Sequence, residues 1–90
     1  MKQQIHVYYR GQVQGVGFRF MAKSIADNLG VNGWAKNLDD GRVEVEAEAE
    51  EDVLKDFLDR IRKHFSRTIQ DTDIERKEAT GKFKDFRIKF

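Results

Sequence analysis

An α+β sandwich of the ferredoxin-like βαββαβ type is the fold that this 90-residue chain predicts, and three observations predict it. Two-residue alternation near residues 5–10, 43–49 and 86–90 marks half-buried strands. Helical spacing of apolar residues over 22–29 and again over 53–65 marks two helices between them. An Asp-Gly pair at 40–41 joins two strand-like runs directly, as a hairpin does. The resulting order places an antiparallel sheet under two helices on one face, with the last stretch supplying an extra C-terminal strand.

Each element follows from its own residues. In the first strand Ile5, Val7 and Tyr9 alternate with His6, Tyr8 and Arg10. Ala22, Ile25, Ala26 and Leu29 then recur on one side of the first helix. Gly30 and Gly33 bracket a short turn before a second strand from Trp34 to Asn37. In the third strand Val43, Val45, Ala47 and Ala49 form a dry face, while Glu44, Glu46 and Glu48 read as a solvated one. Val53, Leu54, Phe57, Leu58, Ile61 and Phe65 share one side of an amphipathic helix of three to four turns. Between Thr68 and Lys77 only Ile69 and Ile74 are large and apolar, which suits a strand near the sheet edge. After a turn at Gly81, the alternation of Phe86, Ile88 and Phe90 with Arg87 and Lys89 gives the final strand.

Composition bounds what such a fold can do. Residues 1–90 are too few to give two units enough interior each, so one domain is expected. Hydrophobic residues make up 39% of the chain, enough for one core, and 37% are charged, which implies a heavily solvated surface. No apolar run approaches the roughly 20 residues of a bilayer span, and no secretory leader is visible, so a cytoplasmic location is expected. The absence of cysteine removes disulfides, thiolate metal sites and thiol nucleophiles together. Seventeen Lys plus Arg against sixteen Asp plus Glu leave a net charge of +1, so no whole-molecule field gathers nucleic acid or membrane. Neither is expected as a partner, and a monomer is expected. Any anion site must be local.

One segment has the build of such a site. Gly11-Gln12-Val13-Gln14-Gly15-Val16-Gly17-Phe18-Arg19 joins the first strand to the first helix through closely spaced glycines and ends on an arginine. A turn of this kind aims successive backbone N–H groups at one point, and the helix adds the partial positive charge of its N-terminus. Phe20 stands where a dinucleotide fingerprint needs its third glycine, and no Lys-Ser or Lys-Thr pair follows as a P-loop requires. In this topology Asn37, at the end of the second strand, lies at the same end of the sheet as Arg19. Arginine grips phosphate oxygens with a planar fork of donors, whereas a carboxamide orients water without taking its proton. Such equipment suits an acyl phosphate, whose carboxylate leaving group, with a pKa of about 4, departs without protonation. A phosphate monoester would need a general acid, a metal or a covalent nucleophile. His6 and His64 have no Asp, Glu or Cys at ligand spacing, and the glutamate row is too regular for a calcium loop, so no metal is expected.

The segment from Gly11 to Arg19, with Leu29-Gly30, Gly33-Trp34, Asn37, Asp40-Gly41 and Val43 downstream, resembles the acylphosphatase family. That resemblance implies a ferredoxin-like fold and hydrolysis of the carboxyl-phosphate bond to carboxylate and inorganic phosphate, without cofactor, metal or phosphoenzyme. It implies that Arg19 holds the phosphate together with backbone N–H groups of Gln14, Gly15, Val16, Gly17 and Phe18, and that Asn37 orients the attacking water. Ala49 and the run His64-Phe65-Ser66 depart from the family's usual pattern, at connections outside the pocket. A binding module on the same fold is the alternative, as an RNA-binding sheet presenting Tyr8 or as a regulatory or accessory domain. Against RNA, Glu44, Glu46 and Glu48 stand where stacking aromatics and basic residues belong.

Overall fold

The computed structural model describes residues 1–90. Strand β1 (Lys2–Gly11) leads to helix α1 (Phe18–Leu29), strands β2 (Asn32–Asn37) and β3 (Val43–Glu50), helix α2 (Glu51–His64), and strands β4 (Ile69–Glu78) and β5 (Phe86–Lys89). The five strands form one sheet in the order β4-β1-β3-β2-β5. Both helices pack on one face, α1 over β2 and β5, α2 over β3 and β1. Ile5, Val7, Tyr9, Val43, Val45 and Ala47 point toward them and are buried, as alternation predicts. Ala22 and Ala26 keep α1 close to the sheet, while Leu54, Phe57 and Ile61 fill the space under α2. Each large side chain so buried contributes about 1.5–3 kcal/mol. Glu51 and Asp52 in the first turn of α2, and Arg62, Lys63 and His64 in its last, complement the helix dipole.

The first four strands pair antiparallel, and the C-terminal stretch does add a fifth, but that strand runs parallel to β2 and makes the sheet mixed. The cause is topological. β4 ends at the end of the sheet where β1 begins, so the connection over residues 79–85 crosses to the far edge and re-enters beside the start of β2. From there the chain can only run alongside β2 in the same direction.

Two local expectations are corrected. Gly33 lies inside β2 rather than in a turn; a Cβ there would sit 1.9 Å from the Glu46 carbonyl oxygen, so only glycine admits this approach. Beside it, Trp34 is opposite Glu46 on the face away from the helices. On that same face the glutamates are not a solvated row. Glu48 is only 6% exposed and accepts hydrogen bonds from Gln4 Nε2 (2.7 Å), Thr80 N–H (2.8 Å), the Thr80 hydroxyl (2.8 Å) and Gly81 N–H (3.0 Å). Glu44 meets His6 Nε2 at 2.5 Å and accepts from the Tyr8 hydroxyl at 3.2 Å. The crossing segment after β4 covers Glu48, a contact across 32 residues that alternation within β3 cannot report.

Candidate active site

The site begins with register. Tyr9 near the end of β1 and Asn37 at the end of β2 both lie opposite Val43 of β3, so the turn after β1 and the turn after β2 emerge side by side. Gln14 ties them together, its Nε2 donating to the carbonyls of Leu38 (2.7 Å) and Arg42 (2.9 Å) in the β2–β3 connection. Below the loop, Val13 and Phe18 are buried, and the Phe18 ring lies 4.8 Å from Tyr9 and 4.5 Å from Phe65, centroid to centroid. Packing thus fixes both ends of the loop while Gly15, Val16 and Gly17 remain exposed.

Gly15 and Gly17 have φ of 75° and 77°, the left-handed region that glycine enters without steric cost. The backbone N–H groups from Gln14 through Phe18 donate to no other group of the chain. Gly17 caps α1 without a side-chain hydrogen bond, and no acidic residue occupies the first turn, so nothing neutralises the positive helix terminus. Of this run, Gly15, Gly17 and Phe18 line one concavity.

That concavity has a volume of about 130 Å³ and is lined by Val13, Gly15, Gly17, Phe18, Arg19, Phe20 and Asn37. It is well below the roughly 300–1,000 Å³ of pockets that enclose whole drug-sized ligands, so it admits a small oxyanion rather than an entire substrate. Asn37 Oδ1 is buried and accepts from no group of the chain. Leaving such an acceptor unmatched costs about 1–3 kcal/mol, a deficit that Asn37 shares with Gln3 Oε1 and the Tyr9 hydroxyl, and of the three only Asn37 lines this cavity. Phe20 (63% exposed) at the rim, with Val16 (45%) on the loop, makes the surroundings apolar. No carboxylate or imidazole lines the cavity.

The structure therefore brings together Arg19, Asn37, Gly15, Gly17 and Phe18 from the sequence reading. Gln14 and Val16 lie outside the lining, and Gln14 supports the loop through its side-chain tie to the hairpin. What the sequence reading missed is the support for Arg19. Its Nη1 donates to the Lys89 carbonyl at 2.8 Å, and the guanidinium carbon lies 4.7 Å from the centre of the Phe90 ring. The only sequence signal was an aromatic at the last position, and the partner atom is a backbone carbonyl 70 residues away, which no motif encodes.

Fold and cavity together define a small α+β protein with a concavity at its first strand–helix turn, lined by glycines, an arginine and an asparagine. The family model for acylphosphatase matches residues 5–88. An acylphosphatase of Bacillus pumilus is 41% identical over 86 residues, covering 93% of this chain and 94% of the relative. One from Caldanaerobacter subterraneus is 42% identical, covering 98% and 99% of the two chains. The crystal structure of the Bacillus subtilis acylphosphatase superposes with a TM-score of 0.91 at 33% identity, covering 98% of this chain and 99% of that one. The chain belongs to the acylphosphatase family, hydrolases that act on acid anhydrides. No helix is long and apolar enough to cross a membrane.

Proposed function

We propose that the chain acts as a single unit over residues 1–90 to hydrolyse acyl phosphates, with Arg19 and the loop N–H groups binding the phosphoryl end and Asn37 orienting the water that attacks it. The observation that carries this reading is the buried, unmatched Asn37 Oδ1 in the same small cavity as Arg19 and the glycine loop.

Each group has a defined task. The N–H groups of residues 14–18 and the helix terminus stabilise negative charge on the equatorial oxygens of a loose, metaphosphate-like transition state. Arg19 has five donors; one is committed to Lys89 and the other four have no partner in the chain, which leaves them available to an anion. Asn37 Oδ1 accepts a proton-side contact from water and so aligns a lone pair with phosphorus, a positioning effect rather than proton abstraction. The leaving carboxylate needs no acid, which matches a cavity without one. The acyl group, too large for the cavity, lies over Phe20 and Val16, so apolar acyl chains suit the rim.

The test is hydrolysis of benzoyl phosphate by the purified chain with EDTA present, beside Arg19→Ala. Metal-independent turnover that falls by at least about two orders of magnitude in the variant supports the reading, since one aimed donor in a water-poor site is worth about 3–4 kcal/mol. Full activity in a folded Arg19→Ala protein refutes the role of Arg19, and an inactive, folded wild type favours a regulatory or accessory domain.

A further inference from the structure

A second concavity, of about 260 Å³, lies on the face of the sheet away from the helices, at the edge formed by β2 and β5. Its walls include Trp34 and Phe83 and the cations Lys82, Lys84, Arg87 and Lys89. Their convergence follows from the strand register. Phe86 opposite Gly33 and Ile88 opposite Ala35 turn inward, so Arg87 and Lys89 stand on the outer face beside Trp34 and Lys36. The crossing segment between β4 and β5, held by Asn32 Nδ2 donating to the Phe83 carbonyl (3.3 Å) and Gly33 N–H donating to the Asp85 carbonyl (2.8 Å), brings Lys82 and Lys84 to the same place.

The chemistry of this edge is polyanion chemistry. Lys36, Lys82, Lys84 and Lys89 take part in no ion pair, and Arg87 meets only Asp85. Two of the ammonium groups rest on aromatic faces, Lys89 Nζ 4.4 Å from the Trp34 ring centre and Lys82 Nζ 5.4 Å from that of Phe83. Of the adjoining glutamates, which on sequence grounds argued against such a ligand, two are occupied elsewhere. Glu44 is matched by His6 and Tyr8, and Glu48 by Gln4 and Thr80, while Glu46, directly opposite Trp34, has only His6 Nδ1 at 3.7 Å and is the one of the three that a ligand on Trp34 must accommodate. A chain of net charge +1 thus carries four cations and one acid within residues 81–90.

We propose that the β2–β5 edge is a second anion site, for planar bases that carry phosphates. A base stacks on Trp34 or Phe83 and the displaced ammonium moves to the phosphates, the combination by which proteins hold single strands without reading sequence. A free nucleoside polyphosphate and a single-stranded nucleic acid share this chemistry. The site shares no lining residue with the Arg19 cavity, and the two meet only through Lys89, whose side chain lines this one while its carbonyl accepts from Arg19.

Trp34 is the chain's one tryptophan and reports directly on stacking. Its fluorescence is followed while the full chain is titrated with adenosine triphosphate, with a single-stranded oligothymidylate and with inorganic tripolyphosphate, correcting for absorbance. Saturable quenching by the first two is expected, and little by tripolyphosphate. The double variant Lys82→Glu/Lys84→Glu should bind at least about tenfold more weakly and hydrolyse acyl phosphate at the wild-type rate. Three phosphate contacts at a slope of about −0.7 each predict roughly a 20-fold loss of oligothymidylate affinity between 50 and 200 mM salt. Tighter binding of the oligomer per nucleotide assigns nucleic acid as the ligand, and tighter binding of the triphosphate assigns a free nucleotide. No quenching by either, undiminished binding by the double variant, or tripolyphosphate matching the triphosphate overturns the proposal. So does loss of binding in Arg19→Ala, which would place the ligand in the first cavity.

Discussion

On the proposed reading, Arg19 and Asn37 divide the work of the cavity in a way that separates binding from chemistry. Asn37→Ala removes an acceptor that matters only when water is aligned for attack, so kcat should fall by at least about tenfold while inhibition by inorganic phosphate changes little. Steady-state kinetics with phosphate as product inhibitor checks this; an equal loss in both would make Asn37 a scaffold residue. Phe90 acts on the same cavity from outside. Its ring under the guanidinium is solvent-exposed, where a cation–π contact is worth about 0.5–1 kcal/mol, so Phe90→Ala should raise the phosphate inhibition constant by about two- to fivefold. An unchanged constant would mean that the Lys89 carbonyl alone positions Arg19.

Gly33 shows at the level of a strand how β2 and β3 fit. Because an added Cβ would fall 1.9 Å from the Glu46 carbonyl oxygen, Gly33→Ala forces the two backbones apart and should cost at least about 2–4 kcal/mol in thermal or denaturant unfolding. A loss under about 1 kcal/mol would show that the pair slides without penalty. Elements that bury one face were legible in the sequence, and those that do not were not. β1, β3 and α2 carry clean periodicity because each has a dry side. β4 is exposed along almost its whole length, with only Ile69 half-buried, so Asp, Glu, Lys and Arg fill it and only its place at an edge could be read. The loop proposed to cradle the anion was legible because its glycines are demanded by local backbone angles. The Gln14 tie and the Lys89 carbonyl were not, since each depends on a distant backbone that arrives through topology.

Glu48 links the whole molecule's ends, since the segment that crosses from one sheet edge to the other is held by its carboxylate. Burial alone would push this carboxyl's pKa up. Donation from the Thr80 N–H, the Gln4 side chain, the Thr80 hydroxyl and the Gly81 N–H outweighs that and holds it below the ordinary glutamate value. A carboxyl whose folded pKa is depressed contributes stability above its unfolded pKa, and that contribution is lost as pH falls from the unfolded value through the lower folded one. Melting temperature should therefore drop on acidification through the carboxylate range, beyond what the exposed ion pairs supply. Glu48→Gln leaves donors facing an amide nitrogen and should destabilise the protein at pH 7 by about 1–3 kcal/mol, with roughly 4–8 °C of melting temperature for each kcal/mol. The variant should also lose part of the acid-dependent slope, because the group that titrates has been removed. Parallel melting curves for both proteins across pH 7 to 3 would instead place the acid sensitivity elsewhere. Since β5 starts where that crossing segment ends and finishes beneath Arg19, the Glu48→Gln protein should also show weaker phosphate inhibition at temperatures well below its melting point, a coupling from one end of the sheet to the other that a purely local role for Glu48 would not produce.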